Sequence, residues 1–173
     1  MNLTELLDLA VARWPQKPAL VEEALVVTYG ELGDRITEAA ARLAALPLTP
    51  GCRVGLCHPN SVGYVVWTFA LWRVGAVVVP IPTECTEEEV GEIASAIQLE
   101  VVLSPKSRAG SLPLGPDCFG TRLSPAETPD NHGLNLAFIR FTSGTTSVRK
   151  GVALAHETIR DRVLSANKAF GIA

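Results

Sequence analysis

The sequence predicts an α/β fold, a mostly parallel sheet flanked by helices. Three observations carry this expectation. Short β-branched runs at Arg53–Cys57, Ala76–Pro80 and Val101–Leu103 alternate with stretches of helical periodicity. The connections between them are short, so strand–helix–strand units with right-handed crossovers follow. The 173 residues are 47% hydrophobic and 19% charged, a globular composition, and a chain of that length can bury the core of one domain.

Taken in chain order, Leu3, Leu6, Leu7 and Ala10 recur at helical spacing over 3–13, with Asn2 or Thr4 as the cap and Trp14-Pro15 as the stop. Ala19–Val21 and Leu25–Thr28 read as two strands of a hairpin turning at Glu22-Glu23-Ala24. Thr28 with Glu31 three residues on is a capping box, and it opens a helix over 29–45 with Leu32, Ile36, Ala39, Ala40 and Leu43 on one face. A turn over 46–51 leads to the strand at 53–57. Pro59-Asn60-Ser61 caps the next helix, and Gly75 separates that helix from the strand at 76–80. Thr86 with Glu89 caps a helix reaching about Ile97, before the strand at 101–103. From Ser104 to Leu134, five prolines and several glycines interrupt any period. This part is expected to be an irregular connection with one short strand near Cys118. Leu136–Thr142 reads as a strand, 143–151 as a loop, Val152–Leu154 as a strand and His156–Phe170 as a helix.

Several function classes are excluded by composition. Fifteen Lys and Arg against eighteen Asp and Glu give a net charge of −3. Nucleic-acid binding is therefore not expected, because it needs a basic face to displace counterions. Cys52, Cys57, Cys85 and Cys118 form no C-x-x-C pair and no zinc spacing, so reduced thiols are expected rather than a metal site. The first twenty residues lack the basic and apolar regions of a signal peptide, which points to a cytoplasmic protein. Between Val62 and Pro82 the only charged residue is Arg73. A membrane span would suffer from that central Arg, and Gly75 breaks the run, so the segment is read as helix, turn and strand.

The segment Phe141–Gly151, FTSGTTSVRKG, carries the chemistry. Hydroxyls at Thr142, Ser143, Thr145, Thr146 and Ser147 surround Gly144, and Lys150 adds a cation. Glycine lets backbone N–H groups approach a ligand, and hydroxyls with N–H groups suit phosphate oxygens. Six Lys or Arg against two acids between Arg140 and Lys168 favour a polyanion locally. Other motifs fail on spacing. A Walker A loop requires Gly where Arg149 stands, and there is no G-x-G-x-x-G. Ser147-x-x-Lys150 matches a β-lactamase-type nucleophile pair but has none of its partner motifs. Residue chemistry alone leaves two readings open, a phosphate-binding loop and a solvated Ser/Thr/Gly loop.

TSGTT-x-x-x-KG after an apolar strand resembles the phosphate loop of the adenylate-forming superfamily. That superfamily includes acyl-CoA synthetases, fatty-acyl-AMP ligases, peptide-synthetase adenylation domains and firefly-type luciferases. Pro18–Val21, Thr28–Leu32, Gly51–Val54 with Pro59–Ser61, and Trp72–Pro80 resemble successive segments of it in the same order. The resemblance implies that Thr142, Ser143, Gly144, Thr145, Thr146 and Ser147 wrap the β- and γ-phosphates of ATP, with Lys150 holding the departing pyrophosphate. It implies that Arg73, Tyr29 and Trp72 are packing or surface residues. His156 reads as a helix cap or structural hydrogen-bond donor.

The family departures are Ser147 for the usual Gly, Arg149 for the usual Pro and Cys52 for the usual Asp. The implied reaction is attack of a carboxylic acid on ATP, with Mg2+, followed by transfer to coenzyme A or phosphopantetheine. The chain ends before the family's adenine, ribose, hinge and catalytic-lysine motifs. It therefore resembles a partial N-terminal AMP-binding domain over 1–173, with no catalytic residue of its own and with apolar surface that favours self-association. The alternative is a non-catalytic binding or assembly module with a degenerate phosphate loop.

Overall fold

The computed structural model describes residues 2–46, 48–123, 130–141 and 151–171. Helix α1 (Leu3–Arg13) starts at Asn2, whose side chain accepts from the Thr4 N–H. Strands β1 (Pro18–Glu22) and β2 (Leu25–Thr28) form the expected hairpin, with Glu23 at φ 52° in the turn. Helix α2 (Tyr29–Leu43) begins with the capping box read from sequence. The Glu31 N–H donates to Thr28 Oγ1 at 3.2 Å, and the Thr28 N–H donates to Glu31 Oε2 at 2.8 Å. Strand β3 (Arg53–Leu56), helix α3 (Val62–Arg73) and strand β4 (Val77–Pro80) follow, then α4 (Glu87–Ile97) behind a second capping box at Thr86, and β5 (Val101–Ser104).

These elements build a seven-stranded sheet in which four neighbouring strands, in spatial order β5, β3, β4 and β8 (Leu136–Phe141), are all parallel. Period-two alternation divides their side chains. Val54, Leu56, Val78, Val101 and Leu103 join the core under α2 and α3. Val77, Val79, Val102 and Ile139 join a second core under α4 with Val90, Ile93 and Ile97. Both faces of the sheet are covered, so these strands read as continuous apolar runs rather than alternating ones.

Helix α3 lies between the sheet and α2, which explains a helix apolar on nearly all sides. Its lone charge reaches the surface. Arg73 pairs with Asp8 of α1 and donates to Thr37 Oγ1 at 2.9 Å. Gly75, at φ +79°, makes the turn that a residue with a Cβ would strain, and β4 starts two residues later. Among the described residues no helix is long and apolar enough to cross a membrane.

One feature differs from the sequence expectation. Within 104–134, β6 (Leu112–Gly115) and β7 (Cys118–Arg122) form a hairpin that extends the sheet antiparallel to β5, where one strand was expected. Proline and glycine mask the period, and only pairing with β5 fixes these residues as strands. At the opposite edge, β9 (Gly151–Ala155) runs antiparallel to β8, a direction that the sequence reading of strand, loop and strand leaves open. Helix α5 (His156–Phe170) then runs from β9 with only His156 buried.

His156 is structural, as expected, but its ring accepts rather than donates. Nδ1 takes the Leu3 N–H at 3.3 Å, and the ring meets Trp72 edge-on at 5.1 Å between centroids. The helix N-cap is Ala155, so His156 does not cap it. Trp72 in turn is buried, donates Nε1–H to the Ala137 carbonyl at 2.8 Å and packs edge-on against Phe69 and Phe138. Its packing role agrees with the sequence reading.

Candidate functional site

Parallel strands gather their C-terminal ends on one edge of a sheet, and the first turns of the following helices face the same way. Here the ends of β3, β4 and β8 surround a cavity of about 670 Å³, lined by His58, Asn60, Tyr64, Thr83, Glu84, Cys85, Arg140 and Phe141 among others. The turn after β3 forms one wall. Ser61 caps α3 by accepting the Tyr64 N–H at 3.2 Å, and the Glu22 carboxylate accepts the Val62 N–H at 2.8 Å from the β1–β2 hairpin. These two bonds satisfy donors that a helix start leaves open. Inside the same turn the His58 ring lies against α3, where a Cβ at Gly63 would come within 2.9 Å of His58 Cε1. The ring also approaches Ser61 Oγ at 3.3 Å. His58 and Pro59 separate this cavity from a second one of about 680 Å³ between α2, α3 and the β6–β7 hairpin, which holds Arg35, Arg42 and Trp67.

The electrostatics of the first cavity come from a few groups. Burial pushes the Tyr64 phenol above its ordinary value, opposed by the nearby Arg140 charge, so the phenol stays a neutral donor. Behind the cavity, burial also raises the thiol of Cys57, a residue of the α4-side core that donates to the Pro82 carbonyl at 3.7 Å. Cys52 and Cys118, buried elsewhere in the core, are pushed up to about 12, chiefly by desolvation. Cys52, Cys57 and Cys118 are buried thiols outside any disulfide, and such raised values make them poor nucleophiles.

The sequence-derived site residues Thr142, Ser143, Gly144, Thr145, Thr146, Ser147 and Lys150 lie outside the described residues. Their attachment points are described. Phe141 lines the cavity and pairs with Gly151 across the β8–β9 hairpin. Phe141 and Gly151, the described residues on either side of 142–150, thus sit at the C-terminal end of the parallel strand β8. His58, Tyr64 and Arg140 were not singled out as site residues from sequence. The available signal was Arg140, a cation near the end of the otherwise apolar strand LAFIRF. The other two join the cavity only through the fold.

The family model of AMP-binding enzymes matches residues 7–172. The chain belongs to the AMP-binding enzyme family. It is 31% identical over 173 residues to tyrocidine synthase 3 of Brevibacillus parabrevis, covering 94% of this chain and 3% of that protein. It is 31% identical over 180 residues to the phosphinothricin tripeptide synthetase PhsC of Streptomyces viridochromogenes, covering 96% of this chain and 16% of that protein. Among solved structures, the Klebsiella oxytoca NpsA N-terminal subdomain in complex with 3-hydroxyanthranilyl-AMSN superposes with a TM-score of 0.72 at 27% identity, over 90% of this chain and 40% of that one. The long-chain-fatty-acid-CoA ligase FadD1 of Archaeoglobus fulgidus shares the fold, with a TM-score of 0.77 at 22% identity over all of this chain and 40% of that one. The chain thus spans a small part of these relatives, and its mixed sheet and helices match the N-terminal subdomains of adenylate-forming enzymes. As an AMP-binding family member, it has a cavity where α/β sheets generally hold ligands.

Proposed function

We propose that this chain is the ATP-phosphate-binding N-terminal part of an ATP-dependent carboxylic-acid ligase, and that it does not complete acyl adenylation alone. One observation supports this above the others. The hydroxyl- and glycine-rich segment Thr142–Lys150 is anchored at Phe141 and Gly151, on the cavity edge of β8. Its hydroxyls and N–H groups donate to the β- and γ-phosphates, while Lys150 neutralises charge on pyrophosphate as it departs. In the parent enzyme a carboxylate oxygen attacks the α-phosphorus, the bond to the bridging oxygen breaks, and pyrophosphate carries away the electron pair. Preorganised donors favour that step because charge builds up on the departing oxygens.

The NpsA complex and the peptide synthetases agree with a carboxylic-acid substrate. Transfer to coenzyme A or phosphopantetheine, a role in fatty-acid metabolism and a cytoplasmic location belong to the same proposal. Mg2+ is expected to accompany the nucleotide. Segment 142–150 contains no carboxylate, so the metal is assigned no ligand there and no step.

Calorimetry with ATP and with pyrophosphate tests the reading. Weak binding is expected, lost in Lys150→Ala. Equal binding by wild type and Lys150→Ala would contradict it and favour a non-catalytic module.

A further inference from the structure

Arg140 occupies an unusual place in the sheet. Phe138, two residues earlier, faces α3 and meets Trp72 edge-on at 5.0 Å. Ile139 and Phe141 belong to the opposite core, under α4. Alternation therefore puts Arg140 on the α3 face, where the preceding pattern is apolar. At that level the helix is only beginning. Tyr64 is in its first turn, and it lines the cavity together with Arg140 and with His58 and Asn60 of the turn after β3.

The charge there is not neutralised by a described carboxylate. Arg42, Arg73, Arg108 and Arg160 each hold an ion pair, whereas Arg140 forms none among the described residues. Glu84, the carboxylate of the same cavity, accepts from Thr83 Oγ1 at 3.4 Å and is not paired with Arg140. Tyr64 adds a half-buried phenol to the same cavity wall. A guanidinium and a phenol lining one cavity suit an oxyanion, which Arg binds through two parallel bonds.

We propose that Arg140, supported by Tyr64, is an oxyanion contact of this cavity, binding a phosphate or carboxylate oxygen of the ligand. The inference rests on the ligase reading for the identity of the ligand, but it assigns a separate residue pair. Two sources supply such an oxyanion, the pyrophosphate tail of the nucleotide and the carboxylate of the acid.

Titration calorimetry on the full 173-residue chain separates them, with pyrophosphate and benzoate as probes and Arg140→Gln, Tyr64→Phe and Lys150→Ala as variants. A phosphate source predicts that Arg140→Gln weakens pyrophosphate binding roughly tenfold or more, with a weaker salt dependence, and that Tyr64→Phe weakens it by roughly two- to fivefold. A carboxylate source predicts the same losses for benzoate alone. Arg140→Lys is expected to restore binding partly, because it keeps the charge without the fork. Melting curves check that the substitutions leave the fold intact.

If Arg140→Gln and Tyr64→Phe bind both probes like wild type while Lys150→Ala does not, the inference is overturned and the loop reading stands. Loss in Arg140→Gln with none in Lys150→Ala upholds the inference and overturns the loop reading. Absence of binding by wild type to either probe overturns both.

Discussion

The middle of the sheet and its β8–β9–α5 end are built on different terms. Around β3, β4 and β5, most strand residues belong to one of two cores, and α3 buries seven of its residues. At the other end, three of the five β9 residues are exposed, and α5 buries only His156 while Val163, Leu164 and Phe170 stand 50%, 56% and 79% exposed. Both helices have apolar residues at helical spacing. The difference is whether the fold supplies a partner for them, and most helix stability comes from that partner. The end attached to the proposed phosphate segment is therefore the less supported one, in line with ligand loops being drawn from regions of low local stability.

Substitutions can break this contrast. Trp72→Ala is expected to cost about 3–5 kcal/mol in urea unfolding, because it removes a large buried ring and leaves the Ala137 carbonyl without its donor. Gly55→Val is next, at about 1–3 kcal/mol. Its Cβ would lie 2.7 Å from Ile81 Cδ1 and 2.9 Å from Leu99 Cδ1, inside the α4-side core. Loss of the α4 cap in Thr86→Ala should cost about 1 kcal/mol, measured the same way. Leu164→Ala in α5 should fall within about 0.5 kcal/mol of wild type, and α5 amides should exchange faster than those of α3. A Leu164→Ala cost as large as a core substitution would remove the contrast.

His156 sharpens the comparison, because it ties α5 and α1 to Trp72. Burial, partly offset by Glu157, lowers its pKa below the ordinary value near 6.5. The folded state therefore prefers the neutral ring, whose Nδ1 accepts the Leu3 N–H. The unfolded chain takes up the proton first as pH falls. This contribution is present above about pH 6.5 and is lost as pH drops from there through the lower folded value. Urea midpoints between about pH 7.5 and about pH 5.5 should fall more steeply for wild type than for His156→Gln. Exposed Val163, Leu164 and Phe170 are also expected to drive concentration-dependent self-association, visible in light scattering and reduced by Leu164→Glu.

Much of the fold was legible because its signals are local. Both capping boxes, the break at Gly75 and the turn at Glu23 each depend on a few adjacent residues whose chemistry fixes a backbone shape. The β6–β7 hairpin was not fully legible, since Pro113 and Gly115 weaken its period and its strand identity comes from pairing with β5. The direction of β9 was equally silent, because a short apolar run after a loop suits either a parallel or an antiparallel neighbour. Of the candidate site, the sequence displayed the hydroxyl, glycine and lysine composition of 142–150 but held no sign that His58, Tyr64 and Arg140 share a cavity.

Family membership and the helix starts were determined by the sequence alone, since each is written in contiguous residues. Only the tertiary structure decided that β8 ends beside β3 and β4, that Arg140 lines a cavity with Tyr64, and that Arg73 reaches Asp8. Those relations join residues far apart in the chain, and their energy exists only once the sheet has brought the strands together.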